Sequence, residues 1–180
     1  MNFNMYKEEA YRIAKEHGFH EQEHSDDHLK CLIISELMEA VEADRKGLRA
    51  DQGAVKFLKA YGRLFEKNFL LYVKDTVEDE LADACIRICD LAGLRNIDLD
   101  FGGQQTVEIE PTKLFTENIL TICRFIAGGG GTADDLYIRL NYSLSMICTL
   151  AAQKGIDLRT HIELKMAYNR TRPKKHGKGY

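Results

Sequence analysis

The chain has 180 residues, 44% hydrophobic and 29% charged, with a net charge of −3. That balance belongs to one globular domain that can bury a core without metal or disulfide staples. It argues against a nucleic-acid polymer as partner, whose binders are usually basic; no apolar run reaches the roughly 18 residues of a membrane span.

Pro occurs only at Pro111 and Pro173, so helix breakers are scarce outside the glycine clusters. The expectation is an all-α protein of seven helical segments. The first covers Met5 to His17 and is amphipathic. Ser25 or Asp26 caps the second, which runs to about Lys46 and stops at Gly47. Its Leu29, Leu32, Ile33, Leu37 and Val41 follow helical spacing. A third covers about Ala54 to Tyr72, with Phe57, Tyr61, Phe65 and Phe69 as one stripe suited to a core or a subunit interface. Thr76 caps the fourth, with Asp79 three positions on as an approximate capping box, and this helix ends near Leu94. Asn96 to Thr112 reads as a loop, with Val107, Ile109 and Pro111 as a short extended piece. The fifth covers Lys113 to Ala127, and Gly128 to Gly131 break the chain in a flexible turn. Thr132 caps the sixth, to about Gln153, and Asp157 the seventh, to about Arg172. The basic tail from Pro173 to Tyr180 is expected to be mobile.

Five cysteines, Cys31, Cys85, Cys89, Cys123 and Cys148, form no CxxC pair and sit among apolar residues. They read as buried thiols of a reducing compartment, and the N-terminus has no apolar signal core, so a cytoplasmic location is expected. One internal echo is present. Glu80 to Leu99 aligns without gaps on Arg139 to Leu158, at an offset of 59, with eight of twenty positions identical. In the second copy Arg139 and Tyr142 replace Glu80 and Asp83, so that copy would serve as scaffold.

Chemistry concentrates in three places. Glu36 and Glu39 share a face of the second helix, being three residues apart, and Glu80 and Asp83 do the same on the fourth. Two helices that bring four carboxylates to one interface repel unless a divalent cation intervenes, and clustered carboxylate oxygens suit Mg²⁺ or Mn²⁺. The plain alternative is two solvated helix faces. Lys165, Asn169 and Arg172 form a polar stripe on the last helix, suited to polyphosphate oxygens or, more simply, to the negative end of the helix dipole. His176 and Lys178 follow in the tail. His20, His24 and His28 step by four, but no cysteine or aspartate completes a zinc site. Arg87 either faces a phosphate or pairs with Asp83 or Asp90. A di-iron bundle would need two ExxH motifs on different helices, and Glu21–His24 has no counterpart.

These motifs in this order resemble the MazG-like all-α nucleoside triphosphate pyrophosphohydrolases. The carriers are Ser35-Glu36-Leu37-Met38-Glu39, Glu80-Leu81-Ala82-Asp83, and Lys165-Met166-Ala167-Tyr168-Asn169-Arg170-Thr171-Arg172, the last preceded by Gly155 to Leu158. The resemblance implies a helical bundle, usually a homodimer or tetramer, that hydrolyses a nucleoside triphosphate to monophosphate and pyrophosphate with Mg²⁺. Carried over, Glu36, Glu39, Glu80 and Asp83 are the metal ligands and catalytic carboxylates. Lys165, Asn169 and Arg172 would hold phosphate or substrate. Relatives acting on deoxycytidine nucleotides carry a histidine at the position of His24, and an asparagine where this chain has His28.

The chain departs from the compact pattern in having Ser35 where a glutamate is usual. It also carries insertions at about 48–75 and 100–135, within one domain spanning 1–172 and followed by the 173–180 tail. Those insertions leave the assembly and the base preference open. Phosphoribosyl-ATP or dUTP hydrolysis is the nearest enzymatic alternative. A non-catalytic helical interaction module is the alternative from another class.

Overall fold

The computed structural model describes residues 1–58, 62–100, 108–129 and 132–177. Among them every regular element is helical: α1 (Phe3–Glu16), α2 (Asp26–Lys46), α3 (Gln52–Leu58), α4 (Phe65–Tyr72), α5 (Val77–Leu94), α6 (Phe115–Ala127), α7 (Ala133–Gln153) and α8 (Leu158–Thr171), with 3-10 turns at Gly62–Leu64 and Lys174–Gly177. None of these helices is long and apolar enough to cross a membrane.

Local chemistry sets the helix ends. Ser25 Oγ accepts from the His28 amide, Thr76 Oγ1 from Asp79, Thr132 Oγ1 from Asp135 and Asp157 Oδ1 from Thr160. Each satisfies one of the first-turn donors that a helix leaves unpaired. Gly47 ends α2 in the left-handed conformation. The box expected at Thr76 is only half formed. Asp79 Oδ2 accepts from the Asp75 amide, one residue earlier than a capping box requires, because Asp75 takes a positive φ.

The centre of the bundle is α5. It packs against α1, α2, α7 and α8, and Leu81, Ile88 and Leu91 are buried with no more than 1% exposure. A fully buried leucine or isoleucine contributes about 1.5–3 kcal/mol over an exposed one. A second, smaller cluster joins Leu58, Phe69 and Val73 to Leu164 and Tyr168 of α8. Its heart is the Phe69–Tyr168 stack, with ring centroids 4.5 Å apart.

Three expectations need correction. The single helix from Ala54 to Tyr72 is two, α3 and α4, since Gly62 takes a φ of +48° that no right-handed helix accommodates. The aromatic stripe divides with it: Phe69 is buried, Phe57 is exposed, and Tyr61 lies outside the described residues. The extended piece at 107–111 forms no strand within the described residues. Ile109 instead drops into the main core while Pro111 begins a turn; Val107 lies outside. The tail is held as far as Gly177, with the Lys175 amide donating to His17 O and Lys174 paired to Glu21. Lys178 and the side chain of His176 fall outside the described residues, as do Gly130 and Gly131.

The echo at offset 59 has a counterpart in backbone geometry. After α5, Arg95 and Ile97 amides donate to Leu91 and Ala92 carbonyls, and after α7, Lys154 and Ile156 donate to Leu150 and Ala151. Asn96 and Gly155 both have positive φ between them. Arg139 and Tyr142, in the places of Glu80 and Asp83, pack on Phe125 of α6, and Arg139 also pairs with Asp135.

Candidate metal and phosphate site

Two helices build an acidic centre. Glu36 of α2 meets Glu80 and Asp83 of α5, and one carboxylate oxygen from each lies within 4.8 Å of the others. Glu36 and Glu80 are 3% and 4% exposed, so these oxygens have little water to offset their repulsion. A second group, Asp75, Asp79 and Glu80, shares Glu80 with the first.

Two cations answer part of the charge. Lys165 Nζ reaches from α8 to Asp79 Oδ2 at 2.8 Å and Asp83 Oδ2 at 2.9 Å. Arg87, one turn beyond Asp83, pairs with Glu36. Asp75 is exposed and pairs with Lys74, which leaves four carboxylates facing these two cations. Burial first, and then Asp79, push the Glu80 carboxyl up to about 9. Asp79 is raised to about 6 by burial, against the pull of Lys165. Glu36 is raised by burial and then by Asp83. Burial also works against ionising Asp83, but Lys165 and Arg87 outweigh it and hold this carboxyl below its ordinary range. Lys165 stays charged because Asp83, Asp79 and Glu80 overcome its own desolvation. A crowded set of hard oxygen donors carrying more negative charge than its neighbours offset is suited to a divalent cation.

Beside this centre lies an open cleft between α1, α2, α5 and α8. Asp83 and Arg87 belong to its wall, together with His24, His28, Asn169 and Arg172. The rings of His24 and His28 stack with centroids 4.5 Å apart. Arg172 lies over the Tyr168 ring, 5.6 Å from its centroid. Asn169 is buried, and its Oδ1 has no hydrogen-bond partner among the described residues.

Placement separates the sequence candidates. Glu36, Glu80 and Asp83 converge. Glu39 stays outside their 4.8 Å group, exposed, and accepts from Ser35 Oγ at 3.3 Å. Lys165 does not face the cleft; it is buried among carboxylates, with its Nζ 5.9 Å from the Phe69 ring centroid. Arg87 pairs with Glu36 across helices, rather than only with neighbours on its own helix. No histidine enters a metal-holding group among the described residues.

Two partners went unread in the sequence. Asp79 looked like a capping residue. His20 Nε2 lies 2.7 Å from Asp90 Oδ1, and both residues line the cleft. The available signal was the run Asp79, Asp83, Arg87, Asp90, which steps by four, four and three along one helix face.

Comparison with protein families, curated proteins and solved structures finds no match to this chain. Fold and site define a class by themselves: a bundle that is helical throughout its described residues, with a buried carboxylate centre, suited to a cation, at the edge of a cleft lined by histidines, two arginines and two aspartates.

Proposed function

We propose that the protein is a Mg²⁺-dependent nucleotide pyrophosphohydrolase of the MazG-like kind, with Mn²⁺ as a substitute, converting a (deoxy)nucleoside triphosphate to monophosphate and pyrophosphate. The observation that carries this reading is the convergence of Glu36, Glu80 and Asp83 beside a cleft that also holds Arg87, Asn169 and Arg172. The motif order in the sequence supports it independently.

Glu36, Glu80 and Asp83 would hold the cation, and Glu39, three residues from Glu36 on α2, would orient the attacking water. Bound there, a divalent cation neutralises phosphate charge and makes a coordinated water more acidic. Arg87 and Arg172 set positive charge against the polyphosphate, and Asn169 offers an amide to a phosphate or sugar oxygen. Phosphoryl transfer asks chiefly for this positioning and charge stabilisation. Water adds to phosphorus, the anhydride bond breaks, and pyrophosphate leaves. Lys165 acts differently, by keeping Asp83 ionised and fixed.

A homodimer is the assembly we propose. Phe57, Leu64, Leu70 and Leu71, exposed on and beside α3 and α4, supply apolar surface for it. We place the protein in the cytoplasm on the strength of its free thiols, of which Cys85, Cys89 and Cys123 are buried, Cys148 is half-buried and Cys31, against the expectation of burial, is exposed.

The test is product analysis after incubation with each of the eight common ribo- and deoxyribonucleoside triphosphates, with Mg²⁺ and with EDTA. Monophosphate and pyrophosphate formed only with the metal are the expected result. No turnover of any of them with Mg²⁺ or Mn²⁺ overturns the proposal.

A further inference from the structure

The cleft has a second polar end, which the carboxylate centre does not use. Asp90 follows Asp83 by seven residues on α5, which places it about 10 Å further along the helix axis. Ala10, Ile13 and Ala14 of α1 and Ile86 of α5 line the same cleft with apolar surface. Asp90 remains 20% exposed, so the cleft reaches its carboxylate. His20 Nε2 lies 2.7 Å from Oδ1 and fixes the group in place. An ionised carboxylate has about four acceptor positions, and His20 takes one.

A ligand that covers Asp90 must supply donors to it, because a buried carboxylate left without them is costly. With phosphates at the Asp83 end, a base that enters the apolar stretch lined by Ala10, Ile13, Ala14 and Ile86 meets Asp90. The common bases differ there. Adenine and cytosine set a ring lone pair beside their amino group, and uracil and thymine flank one N–H with two carbonyls. Guanine alone offers an imino N–H next to an amino group, matching two carboxylate oxygens.

We infer that Asp90, braced by His20, is the specificity-determining residue of the site and selects a guanine nucleotide. This rests on the pyrophosphohydrolase reading above. Burial raises the Asp90 carboxyl and His20 draws it back. Two further donors from a base stabilise its ionised form.

The experiment measures kcat/KM for guanine, adenine, cytosine, uracil and xanthine nucleoside triphosphates, with wild type and Asp90→Asn. The wild type should favour guanine about 100-fold or more, as a site with a dedicated polar group does. Asp90→Asn replaces an acceptor oxygen with an amino donor. It should lose most guanine turnover and gain on xanthosine triphosphate, which has a carbonyl where guanine has its amino group. Turnover with another base preferred, or with an unchanged preference in Asp90→Asn, overturns the inference and leaves the activity standing. If the variant does not fold, the wild-type panel decides alone, and a guanine preference below about tenfold overturns the inference. No turnover of any nucleotide overturns both readings.

Discussion

Lys165 Nζ and Asp79 Oδ2 lie 2.8 Å apart, tying α8 to α5 through side chains that are 5% and 0% exposed. A lysine from a motif suited to phosphate is thus a strut between helices. Removing one partner of a buried pair leaves the other uncompensated, at about 3–5 kcal/mol. Lys165→Met is expected to lower unfolding free energy by that amount in urea titration. An unchanged midpoint would mean the pair is not formed in solution.

Glu80 makes stability depend on pH. Its carboxyl rises from 4.5 to about 9 on folding. The folded chain therefore holds a proton there that the unfolded chain has released, and stability falls as pH rises between those values. The slope for one proton is at most about 1.4 kcal/mol per pH unit. In EDTA, melting temperature should drop from pH 5 to pH 8.5, and Glu80→Gln should flatten that drop. Mg²⁺ should raise the wild-type melting temperature most at the alkaline end, where the proton no longer competes with it.

The carboxylates should rank by placement. Glu36→Ala and Asp83→Asn remove members of the converging group and should leave turnover near background. Glu39 lies outside the group, so Glu39→Ala should cost about 10–100-fold, as loss of a supporting partner does. Activity titrated with Mg²⁺ reads the order directly, and equal losses at all three positions would place Glu39 among the ligands.

Gly93 marks a close approach of α1 to α5. A Cβ there would stand 2.6 Å from Tyr11 Cβ and 3.2 Å from Lys7 O. Gly93→Ala should destabilise by about 1–3 kcal/mol. It should also raise KM, because α1 forms one wall of the cleft. A variant as stable as wild type would show that α1 can retreat freely.

Much of the fold was legible because its signals are local. Ser25, Thr76, Thr132 and Asp157 announce helix starts by their own side chains, and the caps appear where those residues stand. The break at Gly62 was hidden because Phe57, Phe65 and Phe69 keep helical spacing across it. Asp79 was hidden because one residue type serves both as a cap and as a buried acid. Its second role depends on Lys165, 86 residues away.

By itself, the sequence determined a helical chain, most of its helix ends, and two acid pairs beside apolar faces, Glu36 with Glu39 and Glu80 with Asp83. Periodicity and capping are short-range properties, and neighbours in the chain suffice to set them. Tertiary structure decided which charges are buried together: Lys165 inside rather than in the cleft, Arg87 on Glu36, His20 on Asp90, and Glu39 left at the surface. Those choices follow from desolvation and Coulomb energy between groups far apart in the chain, and these take definite values only once the helices have packed.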